Sequence, residues 1–217
     1  MKSLCQKCLA ALSPGVRPLL LLWVAVSLAA ALGQLFRTVD LYRWLALDVS
    51  AAHHGQVWRL VTYAWLPAGI MDFAMTALAL ILLGPLLERH WTRRELWLYC
   101  GIATVGAGVA DVLFASGAPP LVGAASVMLA WLLAWAFVSG HEPVPVPVFG
   151  SLTVRTLVLI LAGLSLFMTL LSGGLVSALV LASGAAVGWL YLWLRHKWLM
   201  TRASRVVSSG RIQRLEL

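Results

Sequence analysis

The chain has 217 residues, 61% of them hydrophobic and only 11% charged, and its mean hydropathy is +0.91. No soluble globular composition approaches that balance, so disorder, secretion and a soluble enzyme fold are excluded and an integral membrane protein remains. The net charge is +8, from 16 basic and 8 acidic residues; in a membrane setting such an excess fixes topology or meets anionic lipid, and nucleic acid is not an expected partner.

A crossing helix needs about 20 apolar residues. Uncharged runs and helix breakers predict six spans, near 18–36, 68–87, 96–115, 121–139, 156–172 and 175–194. The breakers are Ser116, Gly117, Pro119 and Pro120 between the third and fourth, and Ser172, Gly173 and Gly174 between the fifth and sixth. The domain layout is a cytosolic segment 1–17, a membrane domain 18–194 and a basic tail 195–217. Lys2 and Lys7 ahead of the apolar run from Leu19 resemble the start of a signal peptide, but the run is longer than a signal core and reads as an uncleaved span. Six spans place 13 basic residues on the side of both termini and three (Arg37, Arg43, Arg59) on the other, so both termini are expected in the cytosol of a bacterial-type inner membrane.

Between spans, 37–67 carries Tyr42, Trp44, Trp58, Tyr63 and Trp65, a composition that suits structure lying at the membrane interface. Trp58 and Arg59 read there as an interfacial ring and a snorkelling charge. His141 to Pro147 alternates Pro and Val and reads as an extended, polyproline-like connector. The basic tail is expected to touch anionic lipid or simply to fix topology. Cys5 and Cys8 form a CxxC with no second pair or histidine beside it, and Cys100 stands alone, so free thiols are expected and neither a metal nor a cofactor.

Gly184 and Gly188 lie four apart on one helical face, where missing side chains admit another helix. Ser177 and Ser183 on the same span are expected to bond their own helix's carbonyls or pack. Asp72 and Asp111 fall near span ends, where a charge costs roughly 2.5 to 3.5 kcal/mol, and each is expected to face a wet cavity or a polar partner, either solvated at the interface near its helix end or in a water-filled cavity that the two share. Two facing acids could suggest an aspartyl protease or an ion-linked transporter; the motifs of the former are absent.

In order, Trp58-Arg59, Gly69, Gly84-Pro85-Leu86-Leu87-Glu88, the run Val122-Gly123-Ala124-Ala125-Ser126 and Gly184-x-x-x-Gly188 resemble the rhomboid family of intramembrane serine proteases over residues 34–194. The resemblance implies an all-α membrane protein, a six-helix bundle with an interfacial first outside loop. It also implies a serine in a GxSG-type motif on the fourth span, a histidine three residues before the first glycine of the last-span motif, and a His and an Asn on the second span that hold the oxyanion. By position these become Ala125, Leu181, Asp72 and Thr76, and a further family histidine becomes Pro67. A methyl group cannot attack a carbonyl, an isobutyl group cannot accept a proton, and a carboxylate repels the charge an oxyanion donor stabilises. What the resemblance then implies is a rhomboid-like protein that binds transmembrane segments of client proteins without cleaving them. The alternative is an active protease with a nucleophile displaced by one residue, Ser126, which would face about 100° away from the usual position and would still lack a histidine.

Overall fold

A computed structural model describes residues 15–36, 40–115, 119–146 and 150–208; Lys2, Cys5, Lys7, Cys8, Arg37, Ser116, Gly117 and the last nine residues of the tail lie outside the described residues. Among the described residues the chain is nearly all helical. Four helices are long and apolar enough to cross a membrane: α1 (Val16–Phe36), α5 (Ile70–Glu88), α6 (Arg93–Phe114) and the long final helix, which runs as one assigned element, α8, over Val154–Ser208. Three short helices, α2 (Leu41–Leu45), α3 (Val49–His53) and α4 (Arg59–Thr62), followed by a 3-10 turn over Tyr63–Trp65, build the loop after α1. A shorter apolar helix, α7, covers Ala125–Ser139.

α8 is not one rod. Gly174 has φ 74° and ψ −174°, outside any helix, and the left-handed φ suits glycine. Ala162 and Leu166 pack on the same small cluster as Leu181 and Ala185, together with Leu129 of α7. At 1.5 Å per residue a straight helix would hold Ala162 and Ala185 about 34 Å apart. The two segments 154–173 and 175–208 therefore fold back on each other at Gly174, where the Ser172-Gly173-Gly174 signal predicts a break.

The core forms where α6, α7 and the second segment of α8 meet. There Gly184 has no room for a side chain: a Cβ would stand 2.9 Å from that of Ser126 and 3.0 Å from that of Ala107. At Gly188 it would stand 2.7 Å from the Tyr99 hydroxyl, which donates to the Ala130 carbonyl at 2.6 Å. At the end of the bundle away from the loop, Arg195 reaches back to Glu95 at 2.7 Å and stacks over Trp91. Thr92 and Glu95 there form a reciprocal capping box on α6, the arrangement that satisfies two orphan N–H groups of a helix start.

Two boundaries depart from expectation. The span expected from residue 121 becomes helix only at Ala125, because Leu121 exchanges backbone hydrogen bonds with Leu47 (3.0 and 2.8 Å) and the Gly123 N–H donates to the Tyr63 carbonyl. Backbone groups committed to the loop cannot close a helical turn. The His141–Pro147 connector is not a free polyproline stretch: Pro143–Val146 (β1) pairs antiparallel with Gly150–Thr153 (β2). Only alternate residues of such a pair exchange N–H···O bonds, so prolines two apart are compatible with the ladder at a sheet edge.

Candidate functional site

The loop that roofs one end of the bundle is held by polar contacts among its own residues. Asp40 and Asp48 accept the N–H groups of Arg43 and Ser50 and so cap α2 and α3, supplying acceptors for orphan donors. The Ser50 hydroxyl and N–H together hold the Asp48 carboxyl below its usual range. Arg59 is turned inward and is only 7% exposed. Its guanidinium donates to the carbonyls of Ala46 and Arg43 and to the Gln56 side chain, a planar fork satisfied on several sides. The snorkelling expectation is therefore corrected for Arg59, since three loop acceptors converge on it. Trp58 beside it is half exposed.

Tyr63 completes the roof. It is fully buried, and its hydroxyl donates to the Thr104 carbonyl of α6 at 2.9 Å. Burial pushes its phenol up to about 12, against a smaller opposing effect of the nearby Ser126 hydroxyl. Tyr42 donates to the Pro67 carbonyl at 2.8 Å, and its phenol is raised by burial and then by the nearby Asp72.

Beneath this roof lies a cavity of about 400 Å³. The N-terminal end of α7 borders it with Ala125 and Ser126, the end of α6 with Asp111, the roof with Tyr63 and Gly123, and the folded-back α8 with Thr169, Ser177 and Leu181. Ala125 and Leu181, 56 positions apart in the chain, thus face one space. Among the described residues no histidine lines it, and its titratable groups are Tyr63 and Asp111. Ser126 also borders this space and is 6% exposed. The expectation that it faces elsewhere is corrected, because the cavity wraps the first turn of α7 and meets neighbouring positions alike.

The second-span residues separate. Asp72 does not line the cavity, which corrects the expectation of a space shared with Asp111. It sits in the first turn of α5, where a helix start favours negative charge, and accepts the Ala68 N–H at 2.9 Å. Gly123 comes between: its φ is +103°, and a Cβ on it would stand 3.1 Å from the Asp72 carboxylate. Thr76, one turn further, is 2% exposed and lines a different, largely apolar cavity of about 210 Å³ with Trp23, Cys100 and Trp131. Cys100 accepts the Trp131 indole N–H at 3.0 Å and is a free thiol. Ser183 donates to the Val180 carbonyl of its own segment, and Ser177 to the Gly173 carbonyl across the break at Gly174.

Chemically, Ser126 is the one hydroxyl at the α7 end of this space, and the Tyr63 phenol on the same space is un-ionised at neutral pH. Tyr63 cannot serve as its base in that state. The loop-end contacts that sequence reasoning left out are those of Tyr63 and Tyr42; a tyrosine in an aromatic-rich loop carries no sign of which distant carbonyl it will reach.

A model of the rhomboid domain matches residues 54–198, well over half of the chain. The chain belongs to the rhomboid family, and its apolar helices make it an integral membrane protein. No curated protein matches it.

Proposed function

We propose that this rhomboid-family protein binds transmembrane segments of client proteins at the cavity beneath its loop and does not cleave them. The reading rests on one observation above all: the cavity presents the Ala125 methyl and the Leu181 isobutyl group, and no histidine lines it. The bundle is read as crossing the membrane six times, the folded-back α8 supplying the last two crossings. Its Arg155 and Arg195 end lies on the cytosolic side, together with both termini, by the excess of basic residues there. The membrane is the bacterial inner membrane, and the basic tail meets its anionic lipids. Neither a metal nor a cofactor takes part.

Ser126 favours a second reading, an endopeptidase with a displaced nucleophile, because its side chain borders the cavity. Against it, no histidine lines the cavity among the described residues, and Tyr63, whose phenol is pushed up to about 12, keeps its proton at neutral pH. Fluorophosphonate labelling of the purified protein, beside Ser126→Ala and an active rhomboid, separates the two. No labelling beside a labelled control supports the client reading. Labelling lost in Ser126→Ala, or turnover of a transmembrane substrate, overturns it.

A further inference from the structure

The cavity holds one group that neither reading uses. Asp111 is 5% exposed, lines the cavity, and makes no side-chain hydrogen bond or ion pair with any described residue. A carboxylate so placed is costly in a membrane unless a partner of opposite charge meets it. Among the described residues no basic side chain lines the cavity.

Three of the hydroxyls around it have already committed their protons. Thr169 donates to the Ser165 carbonyl and Ser177 to that of Gly173, both at 2.8 Å. Tyr63 donates to Thr104. A hydroxyl whose proton is used can still accept. What remains toward the cavity is a set of acceptors. The helix ends around the space do not change its sign. Those of α7 and of the second α8 segment are N-terminal, and those of α6 and of the first α8 segment are C-terminal. Each carries about half an elementary charge, so they cancel in pairs and the carboxylate decides.

We infer that the Asp111 cavity is a binding site for an organic cation of the ammonium or guanidinium class, contributed by a lysine or arginine near one end of a client's transmembrane helix. Such a group carries several N–H donors and no acceptor, which matches a carboxylate flanked by hydroxyl lone pairs. The surrounding low dielectric strengthens the pair. The client as the source of the cation rests on the function proposed above; the cation site does not.

The test is protection of Asp111 from a hydrophobic carbodiimide in the full-length protein, read by mass mapping with Asp111→Asn as the unreactive control. Three probes are compared: methylguanidinium, a single-span leucine-alanine peptide with one terminal-turn lysine, and the same peptide with methionine in its place. Methylguanidinium and the lysine peptide are expected to slow modification about tenfold, the scale of one hydrogen bond to a charged group, and the methionine peptide not to. Equal protection by both peptides overturns the charge recognition and leaves client binding standing. Protection by methylguanidinium alone overturns the client as the source, and client binding with it, while the cation site stands. Protection by no probe, or no modification of Asp111 at all, overturns the site.

Discussion

The seam where α6, α7 and the second α8 segment meet and the cavity beside it are neighbours with opposite packing. In the seam, Gly184 and Gly188 leave less than a methyl group of space. One turn from Gly184, Leu181 borders about 400 Å³ of open volume that Ala125 also faces. Ser126 belongs to both, its Cβ against Gly184 and its side chain at the cavity edge. The difference separates two demands on one set of helices. Close packing fixes where the backbones run, while an exposed cavity position such as Ala125 carries little of it. A rhomboid bundle can thus be built around a site holding a methyl and an isobutyl group, which is why membership of the family does not by itself define a reaction.

The contrast predicts unequal tolerance. Gly184→Val drives atoms into Ser126, Ala107 and the Ala103 carbonyl and is expected to destabilise by about 3 kcal/mol, at the upper end for overpacking. On the first α8 segment, nothing lies within 4 Å of where a Cβ on Gly163 would stand. Gly163→Ala is expected to raise stability by about 0.5 to 1 kcal/mol, the helix-propensity gain over glycine. Thermal unfolding in one detergent compares the pair, and similar losses would show that the seam is not specially tight.

A second effect comes from the roof. An unfolded tyrosine ionises near 10, whereas burial holds Tyr63 protonated up to about 12. Between those values the unfolded chain releases a proton that the folded chain keeps. The stability from this phenol is therefore complete below pH 10 and falls by about 1.4 kcal/mol per pH unit as pH rises toward 12. Unfolding midpoints of the wild type and Tyr63→Phe over this range should converge; parallel curves would mean that the phenol is not shielded. Smaller still is Tyr99→Phe. It removes the hydrogen bond to the Ala130 carbonyl, for a loss of about 1 kcal/mol. An unchanged midpoint would mean that the bond adds no net stability.

Much of this frame is legible in the sequence, because uncharged runs and breakers report where helices lie and stop. Gly174 is the clearest case, since a Ser-Gly-Gly run inside an apolar stretch signals the turn that the backbone makes there. The start of α7 is not legible: Leu121 to Ala124 are as apolar as the helix that follows, and what keeps them extended is a bridge to Leu47, 74 positions away. Arg59 is misread for the same reason, since its acceptors at Arg43 and Ala46 become neighbours only when the loop folds. At the site, no periodicity pairs Ala125 with Leu181; only the resemblance to the rhomboid family does, and the structure places both on one cavity. That Asp111 lines it and Asp72 does not depends on the course of the chain at Gly123, which composition cannot report.

The smallest expected effect sharpens the comparison most. Ala125 faces open space, so Ala125→Ser should leave stability within about 0.5 kcal/mol and should also leave hydrolysis of a transmembrane reporter at background. A new hydroxyl at the start of α7 would stand beside a helix end able to donate hydrogen bonds, but a serine is a weak nucleophile until a base takes its proton. Leu181 has no acceptor, Tyr63 keeps its proton at neutral pH, and the one remaining titratable group on the cavity is Asp111. Cleavage by the single variant would therefore assign Asp111 as the base, and its loss in Ala125→Ser/Asp111→Asn would establish this. Silence in the single variant and cleavage after adding Leu181→His would locate the missing chemistry at the two positions the cavity joins.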